Sequence, residues 1–346
     1  MPRRTATLVV SILLLVALAV TASRFPVPYA ALSPGPTTDT LGASDGKPLI
    51  EISGKPTYPT KGHLNLTTVA ITNADYRMDL IRALRGWIDP EVAVVPRETF
   101  YPEDKSEKEI RQENAEDMQL SQQHATTAAL RQLGVKVGSE LVIGSVVKDS
   151  PAVGKLKAAD HILKVDGTPV STPGEVRTAV RKHKPGETVT FEVERQGAVR
   201  QVPVTTVADP EGGGHALVGI TTQEKHIYPF EVKIQLDNVA GPSAGLMFAL
   251  GIIDKLTKDD ITGGRFVAGT GEINDEGKVG PIGGIQMKII AARKAGAKVF
   301  MTPAANCGEA AKVDADGMRL VRVENLKGAL DALSSVRAGR DDYPRC

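Results

Sequence analysis

Ser243 stands between Gly241 and Gly245 in the run Val239-Ala-Gly-Pro-Ser-Ala-Gly-Leu-Met-Phe-Ala-Leu-Gly-Ile-Ile-Asp254. An alternating stretch, Phe230-Glu-Val-Lys-Ile-Gln-Leu236, precedes it and an apolar helical stretch follows. A small hydroxyl residue at a sharp helix entry is held exposed beside backbone N–H groups that have no partner within the helix. That is the setting a serine nucleophile and its oxyanion require. The backbone of Gly241, Pro242 and Ala244 is the candidate oxyanion site. The pattern alone does not separate a nucleophile from a serine in a glycine-rich turn. A hydrolase built on the G-x-S-x-G elbow has its histidine after the serine, whereas all six histidines here, from His63 to His226, come before it. No HExxH and no Cys/His cluster occurs, so neither a metal site nor a cofactor is expected. A base other than histidine is needed.

Lysine can serve if burial brings its pKa down toward neutrality. In Gly283-Gly-Ile-Gln-Met-Lys-Ile-Ile-Ala-Ala-Arg-Lys294, the helical neighbours of Lys288 are Gly284, Ile285, Ala291 and Ala292, a small apolar face. Gln286, Arg293 and Lys294 point the other way. Lys288 is either the candidate base or a lysine snorkelling out of a packed face.

The elements that must position these residues are spread over the whole chain. Its 346 residues suffice for two domains, and a net charge of +1 with 24% charged and 4% aromatic residues argues against disorder and against nucleic-acid binding. After Arg3 and Arg4, the uncharged run Thr5 to Ser23 is long enough to span a bilayer. Residues 1–24 are read as a single-pass anchor in the cytoplasmic membrane, with the remainder outside the cytoplasm. Thr21-Ala-Ser23 also fits a signal-peptide cleavage site, and removal stays open. Residues 25–47, rich in Pro, Ser, Gly and Thr, look like a tether. Strands are expected at 49–52 and 64–71, an amphipathic helix over Met78 to Ile88, and a long charged helix from about Ser106 to Leu133. Ser106 and Glu109 fit a capping box for that last helix, which is read as a solvated connector, with His124 either a surface or a packing residue.

From 134 to 208 the style changes to short strands with one good helix, Pro173 to His183. Ser150-Pro-Ala152, Leu156 to Ile162 and Val165-Asp-Gly167 resemble a bacterial PDZ domain, with Ala159 where that family usually has glycine. The resemblance implies a groove for peptide C-termini, its carboxylate loop around Gly134 to Ser139. Asp209 to His215 reads as a flexible linker, 216–337 as an α/β or α+β core, and 338–346 as a tail.

Gly241-Pro-Ser-Ala-Gly245, Thr270-Gly-Glu-Ile273, Gly280-Pro-Ile-Gly-Gly284 and Lys288, in that order, resemble the protease domain of Lon endopeptidases. The anchor plus the PDZ segment is similar to the membrane-bound Lon-like subgroup of bacteria. The resemblance implies an α+β fold of α/β type, with residues 48–133 belonging to it and the β-rich PDZ domain inserted. It implies Ser243 as nucleophile, Lys288 as general base and Thr270 as a side chain near the lysine. Ala240 stands where the Lon pattern often has an acidic residue. No G-x-x-x-x-G-K-[ST] is present, so the expected activity is ATP-independent hydrolysis of unfolded or flexible, exported proteins. Assembly into a homo-oligomeric ring, usually of six, is implied as well. The competing readings are a membrane-anchored peptide-binding adaptor with an inert protease-like domain, and an esterase. Cys307 and Cys346 are either a disulfide or two free thiols.

Overall fold

The computed structural model describes residues 3–22, 24–44, 46–210, 212–236 and 239–346. Ser23 of the possible cleavage site, Asp45 of the expected tether and Glu211 of the expected linker lie outside the described residues, as do Met1 and Pro2. Two compact units emerge: 1–135 together with 230–346, and 136–229.

The first unit begins with α1 (Arg3–Ala22), whose 18-residue stretch Thr5–Ala22 is long and apolar enough to cross a membrane. Residues 25–47 are not a tether. Tyr29–Asp39 form strand β1, with Ala30 and Leu32 buried. Pro34, Gly35 and Pro36 look like linker, but they occupy a register shift against the next long strand, where proline's missing N–H does no harm. Strands β2 (Ile50–Ser53) and β3 (His63–Ile71), helix α2 (Leu80–Ile88) and strand β4 (Ala93–Pro96) follow. Helix α3 (Glu107–Gln132) begins at the capping box, in which Ser106 accepts from the Glu109 N–H and the Glu109 carboxylate accepts from the Ser106 N–H. This helix is no solvated connector. Met118, Ser121 and the run Ala125 to Leu130 are buried, because small side chains on that face let another helix approach closely.

The second unit holds a six-stranded antiparallel sheet: β5 (Gly138–Val146), β6 (His161–Val165), β7 (Thr188–Arg195), β8 (Ala198–Thr205) and β9 (Ile220–Ile227) run in the order β8-β7-β6-β5-β9, and the short strand Thr168–Pro169 pairs with β6 off that path. Helix α4 (Pro173–Arg181) packs against it through Val176 and Val180. Strand β9 pairs with β5 along its whole length, so 216–229 belongs here and not to the core begun at 216. The glycine-rich stretch is likewise no linker between units: it closes a small hairpin in which Val207-Ala208 pairs with Ala216-Leu217. Gly138 and Ser139 are already paired with Ile227 and His226, which leaves no open strand beside the carboxylate loop expected at Gly134 to Ser139. Ala159 sits at φ 66°, the left-handed region that explains glycine's usual presence there. Asp160 next to it is buried and held by Arg195 at 2.6 Å, which together with the Lys157 N–H keeps its carboxyl below the usual range despite burial.

The first unit resumes with β10 (Glu231–Ile234), which pairs with β2. It continues through α5 (Gly245–Leu256), β11 (Phe266–Gly269), the short pair β12 (Glu272–Ile273) and β13 (Val279–Gly280), α6 (Ile285–Lys294), β14 (Val299–Pro303), α7 (Cys307–Ala310), β15 (Arg319–Val323) and α8 (Leu326–Arg337). A six-stranded sheet runs β15-β14-β11-β3-β1-β4, parallel from β15 to β3 and antiparallel beyond. Both faces are covered. Val267, Val299 and Met301 meet α3, α5 and α8, while Ala268 and Phe300 meet α6, the two-residue alternation of a strand dividing each sequence between layers. The 338–346 segment is not a free tail: Tyr343 is buried, Arg345 bridges Val321, and Cys346 is joined to Cys307 by a disulfide.

Candidate active site

Helices α5 and α6 lie on opposite faces of the sheet, so side chains from their first turns meet only beyond the carboxyl end of β11 between them. Thr270 occupies that point. The chain enters α5 through Gly241, at φ 85°, a conformation that a residue with a Cβ disfavours. The Ser243 carbonyl then accepts from the Gly271 N–H at 2.8 Å and from the Thr270 hydroxyl at 3.0 Å, and Leu246 N–H donates to Gly271 O at 3.0 Å. The serine loop is thereby sewn to the end of β11.

Lys288 reaches the same point from α6. Its Nζ is 2.7 Å from Ser243 Oγ and 3.0 Å from Thr270 Oγ1. The side chain is 3% exposed, and burial pulls its pKa down from 10.5 to about 8, with the charge of Glu272 opposing. Because Thr270 uses its proton on the Ser243 carbonyl, it must accept from Lys288. A neutral amine that donates there can turn its lone pair toward the Ser243 hydroxyl. The structure thus brings Ser243, Lys288 and Thr270 together.

The three candidate oxyanion residues fare differently. Pro242 has no N–H and cannot donate, which corrects the sequence expectation; its carbonyl instead accepts from the Ser121 hydroxyl at 2.8 Å. Gly241 N–H points to Asn114 O at 3.4 Å. Among the described residues, the N–H groups of Ala244 and Ser243 have no partner, and they remain as donors.

Two neighbours escaped the sequence reading. Ser121, on the buried face of α3, holds the carbonyl just before Ser243; the run of small residues through Ala125, Ala128 and Ala129 was its only signal. Glu272 lies two residues beyond Thr270. Its carboxyl is raised by burial and by Asp117, with Lys288 opposing. Both residues line a cavity of about 740 Å³ bordered also by Asp117, Pro242, Ile273 and Lys278. His124, at the rim of that cavity, bonds Asp275 at 2.7 Å, which raises its pKa. No group of three or more metal-ligating side chains is found among the described residues.

With a serine, a buried lysine and an open cavity at the end of a covered sheet, the first unit has the makings of a hydrolytic domain, and the second is a PDZ-type sheet. Residues 223–334 match the model of the Lon protease (S16) C-terminal proteolytic domain, and residues 111–206 match that of the PDZ domain. The chain therefore carries a segment that matches a Lon-type proteolytic domain and another that matches a PDZ domain. It is similar to Lon protease 2 of Bacillus subtilis, 39% identical over 95 residues that are 28% of this chain and 17% of that protein. It is also similar to a Lon protease of Roseiflexus castenholzii, 47% identical over 66 residues, 19% of this chain and 8% of that protein. The chain thus spans less than a fifth of either relative. The PDZ domain of an SdrC-like protein from Listeria monocytogenes is 30% identical, covering 25% of this chain and 93% of that one at a TM-score of 0.23.

Proposed function

We propose that the protein is an ATP-independent serine endopeptidase that works through a Ser243–Lys288 dyad. The observation that carries this is the 2.7 Å approach of Lys288 Nζ to Ser243 Oγ at a site where burial keeps the amine's pKa near 8. Neutral Lys288 takes the Ser243 proton as Oγ bonds to a peptide carbonyl carbon, and the oxyanion is held by the Ala244 and Ser243 N–H groups. As the C–N bond breaks, the lysine ammonium returns its proton to the leaving amine. Water, deprotonated by the same lysine, then attacks the ester and frees Ser243. Thr270 fixes the amine and the serine backbone at once.

Substrates are unfolded or flexible exported proteins, recruited in part by their C-termini. Strand β9 is an edge of the PDZ sheet, α4 packs beside it, and the Val218 and Gly219 N–H groups just before it have no partner among the described residues. An added strand there would present its carboxylate to these N–H groups. Helix α1 anchors the chain in the cytoplasmic membrane with the catalytic unit outside the cytoplasm, and protomers assemble as a ring.

The test is labelling of the full chain by a serine-reactive phosphonate, alongside cleavage of an unfolded protein without ATP. Ser243→Ala and Lys288→Met should each lower turnover by roughly 10⁴-fold. Wild-type cleavage by the lysine variant would refute the dyad, and an unlabelled, inactive wild type would favour a peptide-binding adaptor.

A further inference from the structure

Helix α2 turns its large apolar side chains outward. Ile81, Leu84, Trp87 and Ile88 are 41%, 47%, 54% and 84% exposed, while its inward face is made of Ala83 and Gly86. At helical pitch Ile81, Leu84 and Ile88 form one stripe, with Trp87 on one flank and Arg82 and Arg85 on the other. A contiguous apolar face of this kind on a folded protein marks a contact surface.

Its place in the chain tells what covers it. Leu80 N–H donates to Phe25 O at 3.1 Å, Val27 N–H to Met78 O at 2.8 Å, and Pro26 is bridged to Asp79. Only Ser23 and Arg24 separate Phe25 from Ala22, the end of α1, and residues of α1 and α2 approach within 8 Å, Cα to Cα. The headgroup zone on either side of a bilayer core is about 5–7 Å deep. A helix fastened this closely to the end of a membrane segment lies at that depth. Phe25, itself 60% exposed, continues the apolar surface between the two.

We infer that α2 is a second membrane contact: it lies in the interfacial plane, with Ile81, Leu84 and Ile88 in the acyl boundary and Trp87 at headgroup level. The inference rests on α1 crossing the bilayer. Arg24, Arg77, Arg82 and Arg85 stand at the same end, but so do Asp75, Asp79 and Asp89. The apolar stripe, and not net charge, therefore carries the binding. The catalytic unit is then held to the lipid surface at two points.

Trp87 is the only tryptophan in the sequence, so its fluorescence reports on α2 alone. The experiment reconstitutes the full chain in phosphatidylcholine vesicles, with and without phosphatidylglycerol, using lipids brominated near the headgroup or near the chain ends. Flotation with the vesicles reports on α1 separately. The expected result is flotation, Trp87 quenching severalfold stronger with bromine near the headgroup, and weak quenching by aqueous iodide. In the Ile81→Ser/Leu84→Ser/Ile88→Ser variant, flotation and peptidase activity in detergent should persist while bromolipid quenching falls severalfold. Flotation with full iodide quenching and none by bromolipid overturns the inference and leaves α1 as the anchor. Trp87 shielded from both quenchers also overturns it, in favour of a second copy of the chain on this face. Failure to float removes α1 and α2 together as membrane contacts.

Discussion

The hydroxyl of Ser121 donates to the carbonyl of Pro242 at 2.8 Å, and Pro242 immediately precedes Ser243. A residue more than a hundred positions earlier thereby fixes the peptide on which the proposed nucleophile turns. Replacing it by alanine leaves a part-buried carbonyl without its donor, a change of about 1 kcal/mol. Ser121→Ala should therefore lower kcat by roughly 5-fold with KM little changed. Equal losses in Tm and activity, with kcat per folded molecule intact, would reduce Ser121 to a packing residue.

The buried amine links stability to pH. Lys288 titrates near 8 in the folded chain and at 10.5 when unfolded, so the unfolded state binds more protons between those values and stability rises with pH across that window. Below pH 8 the full cost of charging the buried lysine is present, about 3 kcal/mol. Lys288→Met should be more stable than the wild type by on the order of 3 kcal/mol near pH 7, with the gain vanishing by about pH 11. Chemical denaturation at the two pH values measures it. For the wild type, kcat/KM should climb as pH rises through about 8, because the neutral amine is the working form.

Glu272 opposes that depression. Its negative charge favours the ammonium form of Lys288, so Glu272→Gln should move the midpoint of the kcat/KM profile to lower pH. A midpoint that stays in place would show the two groups to be uncoupled.

Ser243 and Lys288 were legible in the sequence because their surroundings follow local periodicities: a strand, a glycine turn and a helix for one, a small apolar helix face for the other. What stayed hidden depends on distant partners. Strand β1 carries Pro34, Gly35 and Pro36, punctuation that reads as linker until β3 is seen to accept it across a register shift. Strand β9 reads as polar, Thr221 to His226, and only its pairing with β5 assigns it to the PDZ sheet. The buried face of α3 is built of Ser, Thr and Ala, which a search for large apolar residues passes over. Pro242 sits in the motif beside the nucleophile, but its ring nitrogen carries no N–H, so motif position alone does not make it an oxyanion donor.

The two glycines flanking Ser243 answer to different demands. Gly241 is required by its backbone angle, whereas a Cβ at Gly245 would stand 2.9 Å from Ile273 Cγ2 and 3.0 Å from Ser121 Oγ. Position 245 is therefore hemmed in by α3 on one side and by Ile273 of β12 on the other. Bulk added at 245 has to be offset at both 121 and 273 before the serine loop can close, so variation at the three positions should be correlated across homologues.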